Sequence, residues 1–199
     1  PKGQPEEVRV HDFQDQKLGK AIPYGVFDLT RNEGWVSVGI DHDTAAFAVR
    51  TIQRWWNQMG KEAYPKVRSL LITADSGGSN SARSRLWKCA LQERLADRYH
   101  LAVTVCHYPT GASKWNWVEH RLFSAISANW AGEPLSSYAK MLNFLNATTT
   151  EKGLVVKATL CETHYQTGLK VSDEQMERLN LPKHNALTQW NYTIRPSSC

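Results

Sequence analysis

The stretch "SLLITADSGGSNSARSRLW", residues 69 to 87, decides how this chain is to be read. Leu70 to Thr73 form an apolar, partly β-branched run that predicts a buried strand. The run ends at Ala74 and Asp75, and the chain then turns on Ser76, Gly77 and Gly78. Beyond the turn, Trp87, Leu91 and Leu95 share one stripe of a helix expected from about Ser81 to Tyr99. Asp75 therefore stands where a strand gives way to a helix. It can cap that helix, since its oxygen can accept the free N–H groups of a first turn. It can equally serve as a metal ligand at the carboxyl edge of a sheet, where α/β folds keep their chemistry.

Upstream, "IPYGVFDL" (22 to 29) and "GWVSVGI" (34 to 40) are β-rich runs joined by "TRNE", a predicted hairpin. A helix is expected next, with Asp43 as N-cap and Gly60 as its stop. Ala45, Val49, Ile52, Trp56 and Met59 recur at spacings of four and three, which makes one face apolar. Downstream, "LAVTVCHY" (101 to 108) is a further strand. A helix from about Lys114 to Trp130, with Ser113 able to cap it, buries Val118, Leu122, Ala125, Ile126 and, at the margin, Asn129. Another helix covers roughly Ser136 to Ala147. "GLVVKATL" predicts a strand, "SDEQMERLNL" a short helix capped by Ser172, and the end an irregular arm. A hairpin followed by alternating helices and strands argues for an α/β fold, a mixed sheet with helices on both faces.

At 199 residues the chain suits one good-sized domain. The organisation expected is an extended lead-in over 1–20, a core over 21–150, and a strand and helix extension of the same domain over 151–199. Hydrophobic residues make up 41% and charged residues 22%, an ordinary globular balance. No apolar run reaches the ~18 residues of a membrane span, and "PKGQPEEVRV" is not a signal peptide. A cytoplasmic protein is the expectation. Cys89, Cys106, Cys161 and Cys199 are scattered without a CxxC pair, which favours free thiols over a disulfide or zinc site. The net charge of +5 fits a polyanionic partner. Trp115 and Trp117 stand among Lys114, Asn116, His120 and Arg121, where an aromatic ring can stack on a base. "DSGGSN" lacks the GxxxxGK[ST] and GxGxxG patterns of a nucleotide cradle.

A partner for Asp75 appears in "HYPTGASKWNWVEHRLFS" (107 to 124). Glu119 lies three residues before Leu122 and seven before Ile126, at the border of the buried face and directed at the sheet edge. The bland alternative is an exposed Glu paired with a neighbouring Arg or Lys. One Asp ending the strand after the first helix, and one Glu early in the helix after the next strand, match the layout of a ribonuclease-H-like nuclease core. Such a core gathers carboxylates to hold two divalent ions about 3.5–4 Å apart.

Several long motifs carry a resemblance that covers most of the chain. "HDFQDQKLGKAIPYGVFDLTRNEGWVSVGIDHDTAAFAVRTIQRWW", "LLITADSGGSNSARSRLWK", "VCHYPTGASKWNWVEHRLFSAISANW", "TGLKVSDEQM" and "WNYTIRP" resemble, in order, the catalytic domain of bacterial insertion-sequence DDE transposases of the Rhodopirellula type. The resemblance implies a ribonuclease-H-like fold, DNA strand cleavage and transfer during transposition and recombination, and two Mg²⁺ or Mn²⁺ ions in the complete site. It also implies transposon-end and target DNA as partners, a homodimer on DNA, and a cytoplasmic, nucleoid-associated location. On the matching positions Asp75 is the second acidic ligand and Glu119 the third. Asn80, Arg83, Lys114, Trp115, Asn116, His120 and Arg121 are the candidate DNA contacts.

Two departures from the pattern stand out. The family's first acidic residue lies on the first sheet strand, in a segment like "DTKKKE" that the resemblance sets upstream of the lead-in. The expectation is thus a core lacking its first strand and first ligand, poorly active or inactive in cleavage. Trp117 and Thr110 also stand where the family usually has a Lys and a Pro. Asp28, Asp41 and Asp43 are the acids that could replace the missing ligand, although such positions more often serve turns and caps. His107 is a candidate for substrate phosphate contact or for a supporting role behind a ligand. The rival function is a non-catalytic remnant that binds DNA or a partner transposase.

Overall fold

The computed structural model describes residues 20–109, 111–182, 184 and 187–197. The lead-in over residues 1–19, Thr110, Cys199 and the Ser113 side chain lie outside the described residues. The expected hairpin is present: β1 (Ile22–Asp28) pairs antiparallel with β2 (Glu33–Gly39), and Asn32 turns the corner with φ 54°. Helix α1 (Ala45–Trp55) follows, continues through a π-helical stretch over Trp56–Gly60, and finishes in the single turn α2 (Lys61–Ala63). Gly60 is therefore not the stop. A Cβ there would sit 2.7 Å from the Trp56 ring, so glycine lets the chain pass beneath the indole. The N-cap is Thr44 and not Asp43: the Thr44 hydroxyl oxygen accepts the N–H of Phe47 at 3.2 Å.

β3 (Ser69–Ala74) leads through a 3₁₀ turn at Gly78–Asn80 to α3 (Arg85–Leu91), which Ser84 caps and which widens into a π-helical stretch over Gln92–Asp97. β4 (Ala102–His107) comes next. The helix predicted from Lys114 is broken into a 3₁₀ turn at Ser113–Trp115, a π-helical stretch at Val118–Phe123, and α4 (Ser124–Asn129). α5 (Tyr138–Ala147), β5 (Val155–Cys161) and α6 (Asp173–Glu177) follow; Ser172 and Gln175 close a reciprocal capping box on α6. The end is not merely an irregular arm, because β6 (Asn191–Ile194) pairs antiparallel with β4.

Two three-stranded sheets result where the pattern predicts one mixed sheet. One has the order β1-β2-β5, with β5 parallel to β2; the other has β3-β4-β6, with β3 parallel to β4. The strand period of two explains how helices cover both faces of the first sheet. Trp35 on β2 joins the core made with α1 and α3, whereas Val36 and Val38 join the one made with α4 and α5. Trp87, Leu91 and Leu95 are fully buried, as their stripe predicts. So are Leu122 and Ile126, while Asn129 is exposed and donates its amide to the Phe144 carbonyl at 2.9 Å. The helix carrying Glu119 rides directly on the hairpin backbone. A Cβ on Gly25 would lie 2.9 Å from the Phe123 ring, and one on Gly34 would collide with Leu122.

No helix among the described residues is long and apolar enough to cross a membrane. Cys89, Cys106 and Cys161 are free thiols.

Candidate active site

β1 and β3 are each the outer strand of their sheet. Both line one cavity of about 770 Å³, β1 from Pro23 to Asp28 and β3 along its whole length. Ile52, Trp55 and Trp56 of the first helix also line it, as do Val118, Glu119 and Phe123. Of the exposed large apolar side chains, Leu29, Val67, Leu71 and Trp117 all lie on this cavity. Leu71 is 64% exposed at the middle of a strand. An open strand edge lined with apolar side chains is surface that folded proteins ordinarily cover.

Asp75 and Glu119 are brought to this cavity together, with Asn80 and Asn116. Asp75 is not a helix cap. Ser84 caps α3 by accepting the Trp87 N–H at 3.2 Å, and the 3₁₀ turn at Gly78 has no side-chain cap. Glu119 sits in the π-helical stretch, whose wider turn is seen in the Ser124 N–H reaching back five residues to the Glu119 carbonyl. Asn116 is buried, and its carbonyl accepts the N–H groups of Glu119 at 3.1 Å and His120 at 3.2 Å.

The remaining acids differ in their partners, and Asp28 lines the cavity as well. Asp28 is spent in the hairpin turn: its carboxylate accepts the Thr30 and Arg31 N–H groups and the Tyr64 hydroxyl. Asp41 accepts the Tyr165 N–H at 2.7 Å and pairs with His42 and His164. Asp43, released from capping by Thr44, also lines the cavity, and its Oδ2 lies 3.7 Å from where a Gly78 Cβ would stand. Burial pushes the Tyr24 phenol above its ordinary range, and the charges of Asp75 and then Asp43 push it further. Both carboxylates thus act on one half-buried ring. The sequence signal for this was the second capping residue, Thr44, directly after Asp43.

Not every predicted contact joins the cavity. His120 and Arg121 line a separate pocket of about 310 Å³ with Asn32, Ser124 and Lys152. Arg121 stacks on Trp117 at 5.1 Å and Lys114 on Trp115 at 5.5 Å. Arg83, Lys114 and Trp115 are exposed and outside both pockets. His107 turns inward: it is 6% exposed, with Nδ1 2.9 Å from the Asp75 carbonyl and Nε2 3.0 Å from the Tyr192 hydroxyl. Burial, the largest effect on it, pulls the imidazole below its ordinary pKa.

A family model described as the Rhodopirellula transposase DDE domain matches residues 1–196. The chain belongs to this transposase family. No curated protein and no solved structure matches it. Among the described residues of this DDE domain, no group of three or more His, Cys, Asp or Glu side chains stands where it could hold a metal ion. The donors agree with the family's metal dependence in kind, since Asp75 and Glu119 offer the hard oxygen that Mg²⁺ prefers. They fall short in number.

Proposed function

We propose that this chain is the catalytic region of a DNA transposase of the DDE type, with Asp75 and Glu119 as two of its three acidic ligands. The observation that carries the reading is that both line one cavity, Asp75 from the turn directly after β3 and Glu119 from the π-helical stretch. The cavity between β1 and β3 would suit the first acid-bearing strand of a ribonuclease-H-like sheet, and two apolar-walled edges that have no partner strand among the described residues support that reading. Residues 21–150 make up the core, and 151–199 extend the same domain by adding β5 and β6 to the sheets.

Mg²⁺ or Mn²⁺ ions, when bound, activate the attacking oxygen and stabilise the leaving one. Asp75 and Glu119 would hold them. The buried Asn116 supports the turn from which Glu119 projects, and Asn80, which lines the same cavity, would contact the DNA strand. Arg83, Lys114 and Arg121 supply the positive charge that draws in phosphate, and Trp115 offers an exposed ring to an unstacked base. The natural substrate is transposon-end and target DNA, handled by a homodimer in the cytoplasm at the nucleoid.

The test is Mn²⁺-dependent cleavage of transposon-end DNA, by this chain and by one extended upstream through an acid-bearing strand. Activity in the extended chain, lost in Asp75→Asn and in Glu119→Gln, is expected. The second reading, a DNA- or partner-binding remnant, is favoured by the absence of a three-ligand cluster among the described residues. It would be established by DNA binding in the extended chain without any cleavage.

A further inference from the structure

Four residues, three on different elements and one in the turn after a fourth, form one unbroken line of hydrogen bonds: Trp87 on α3, Tyr192 on β6, His107 at the end of β4, and the backbone of Asp75 after β3. The Trp87 indole Nε1 lies 2.8 Å from the Tyr192 hydroxyl oxygen, which lies 3.0 Å from His107 Nε2. His107 Nδ1 is 2.9 Å from the Asp75 carbonyl oxygen. Counting donors orients every bond. An indole N–H can only donate, so the Tyr192 oxygen accepts it. The Asp75 carbonyl oxygen can also only accept, so the ring proton of His107 resides on Nδ1 and is donated to it. In the neutral imidazole Nε2 is then the acceptor and takes the phenolic proton of Tyr192.

We propose that Tyr192 is a positioning residue that, through His107, fixes the peptide group of Asp75 and so aims its carboxylate into the cavity. The proposal rests on the reading of Asp75 as a cation ligand. Its physical basis is the number of restraints on a short side chain. Asp has only two side-chain torsions, so a held backbone leaves few places where the oxygens can point. Three bonds hold the chain around Asp75. The Ala74 carbonyl accepts the Tyr108 N–H at 2.7 Å, and the Ser76 hydroxyl donates to the Tyr108 carbonyl at 2.8 Å. The third, from His107, is the one that grips the Asp75 carbonyl itself.

That third bond is anchored deep in the protein. Trp87 is fully buried and Tyr192 is 4% exposed, with the Lys88 ammonium 5.0 Å above the phenol ring. A partner that stands behind a ligand and orients it typically changes metal affinity or activity 10–100-fold when removed. Strand β6, far along the chain from the strand that carries Asp75, thereby becomes part of the machinery of the site.

The test uses the whole chain and two readouts. Long-range ¹H–¹⁵N correlation spectra report which ring nitrogen of His107 carries the proton; the Nδ1–H tautomer is expected in the wild type. Tyr192→Phe keeps the ring and removes the hydroxyl. It should leave His107 as a mixture of tautomers and weaken Mn²⁺ binding about tenfold. Thr193→Val removes two neighbouring β6 bonds, those of Thr193 Oγ1 with Thr104 Oγ1 and with His184 Nε2, each at 2.8 Å, and should move neither readout. Equal losses in the two variants would mean that β6 contributes only packing, which overturns the proposal. An Nε2–H tautomer in the wild type would also overturn it, and that measurement needs no variant to fold. Wild-type Mn²⁺ affinity in Tyr192→Phe, with affinity lost in Asp75→Asn, removes the positioning role alone. Mn²⁺ binding indifferent to Asp75→Asn removes the cation reading of Asp75 and this proposal with it.

Discussion

The Tyr64 hydroxyl stands 2.9 Å from Oδ2 and 3.0 Å from Oδ1 of Asp28 and donates to that carboxylate at the end of β1. Asp28 also takes two backbone N–H groups from its own turn. A carboxylate with these partners ties the hairpin to the segment after α2. Asp28→Asn is therefore expected to cost stability, on the order of 1.5–3 kcal/mol for a hydrogen bond to a charged group, and to leave Mn²⁺ binding intact. Urea denaturation and a Mn²⁺ titration of the same variant check this. Loss of Mn²⁺ binding in a folded Asp28→Asn protein would make Asp28 a ligand.

Asp41 joins the ends of β2 and β5. The Tyr165 N–H holds its carboxyl below the usual carboxylate range, helped by His42 and His164 and opposed by burial. A depressed folded-state pKa means that this stabilisation is present above the unfolded value of about 4 and disappears as the pH falls through the folded one. Asp41→Asn should have a lower urea midpoint than wild type at pH 6, and the gap should close in acid. Curves that run parallel from pH 6 to pH 3 would show that Asp41 contributes no pH-dependent stability.

The five basic residues near the site are not equivalent. Arg85 is paired with Asp173 at 2.6 Å and donates to the Val171 carbonyl, and Lys88 lies over the Tyr192 ring with its pKa lowered chiefly by burial. Arg83 and Lys114 are exposed, and Arg121 is exposed against Trp117. Neutralising Arg83, Lys114 or Arg121 is expected to weaken DNA binding for all sequences alike and to reduce the salt slope by about 1 each. Arg85→Gln and Lys88→Gln should change the slope less. Fluorescence anisotropy on duplex DNA at several salt concentrations makes the comparison; equal effects at all five would mean that the ion pair does not withhold Arg85.

Trp115 and Trp87 divide the tryptophans by role. Trp115 is 61% exposed, whereas Trp87 is wholly buried. Trp115→Ala should shift stability by no more than about 0.5 kcal/mol, as surface changes do. It should weaken single-stranded DNA binding by roughly 1–3 kcal/mol if the ring stacks on a base. Trp87→Ala should cost about 3–5 kcal/mol of stability through the cavity it leaves. Unchanged DNA affinity in a folded Trp115→Ala protein would remove the stacking role.

The sequence by itself determined the elements whose signal is local. The hairpin over "TRNE", the buried stripe of Trp87, Leu91 and Leu95, and the cap at Ser172 are all dictated by residues within a few positions of one another, where periodicity and capping act. The placement of Asp75 at a strand end was legible for the same reason, and motif order identified the family. Local signals were weaker where two residues competed: Asp43 and Thr44 can both cap a helix, and only the packed structure shows Thr44 doing so and Asp43 turned to the cavity.

Tertiary structure decided what depends on distant parts of the chain meeting. The meeting of Asp75 and Glu119 on one cavity needs β3, the hairpin and the π-helical stretch to pack together, and Gly25 and Gly34 let that stretch approach. The division into two sheets depends on which strand edges find partners, a long-range matter that no run of residues reports. β6 was invisible because "NYTI" is too short to signal a strand, and it becomes one by pairing with β4. Its Tyr192 then reaches His107, and through it Asp75, from 117 positions along the chain. Hydrogen bonds act over about 3 Å of space and take no account of separation in sequence.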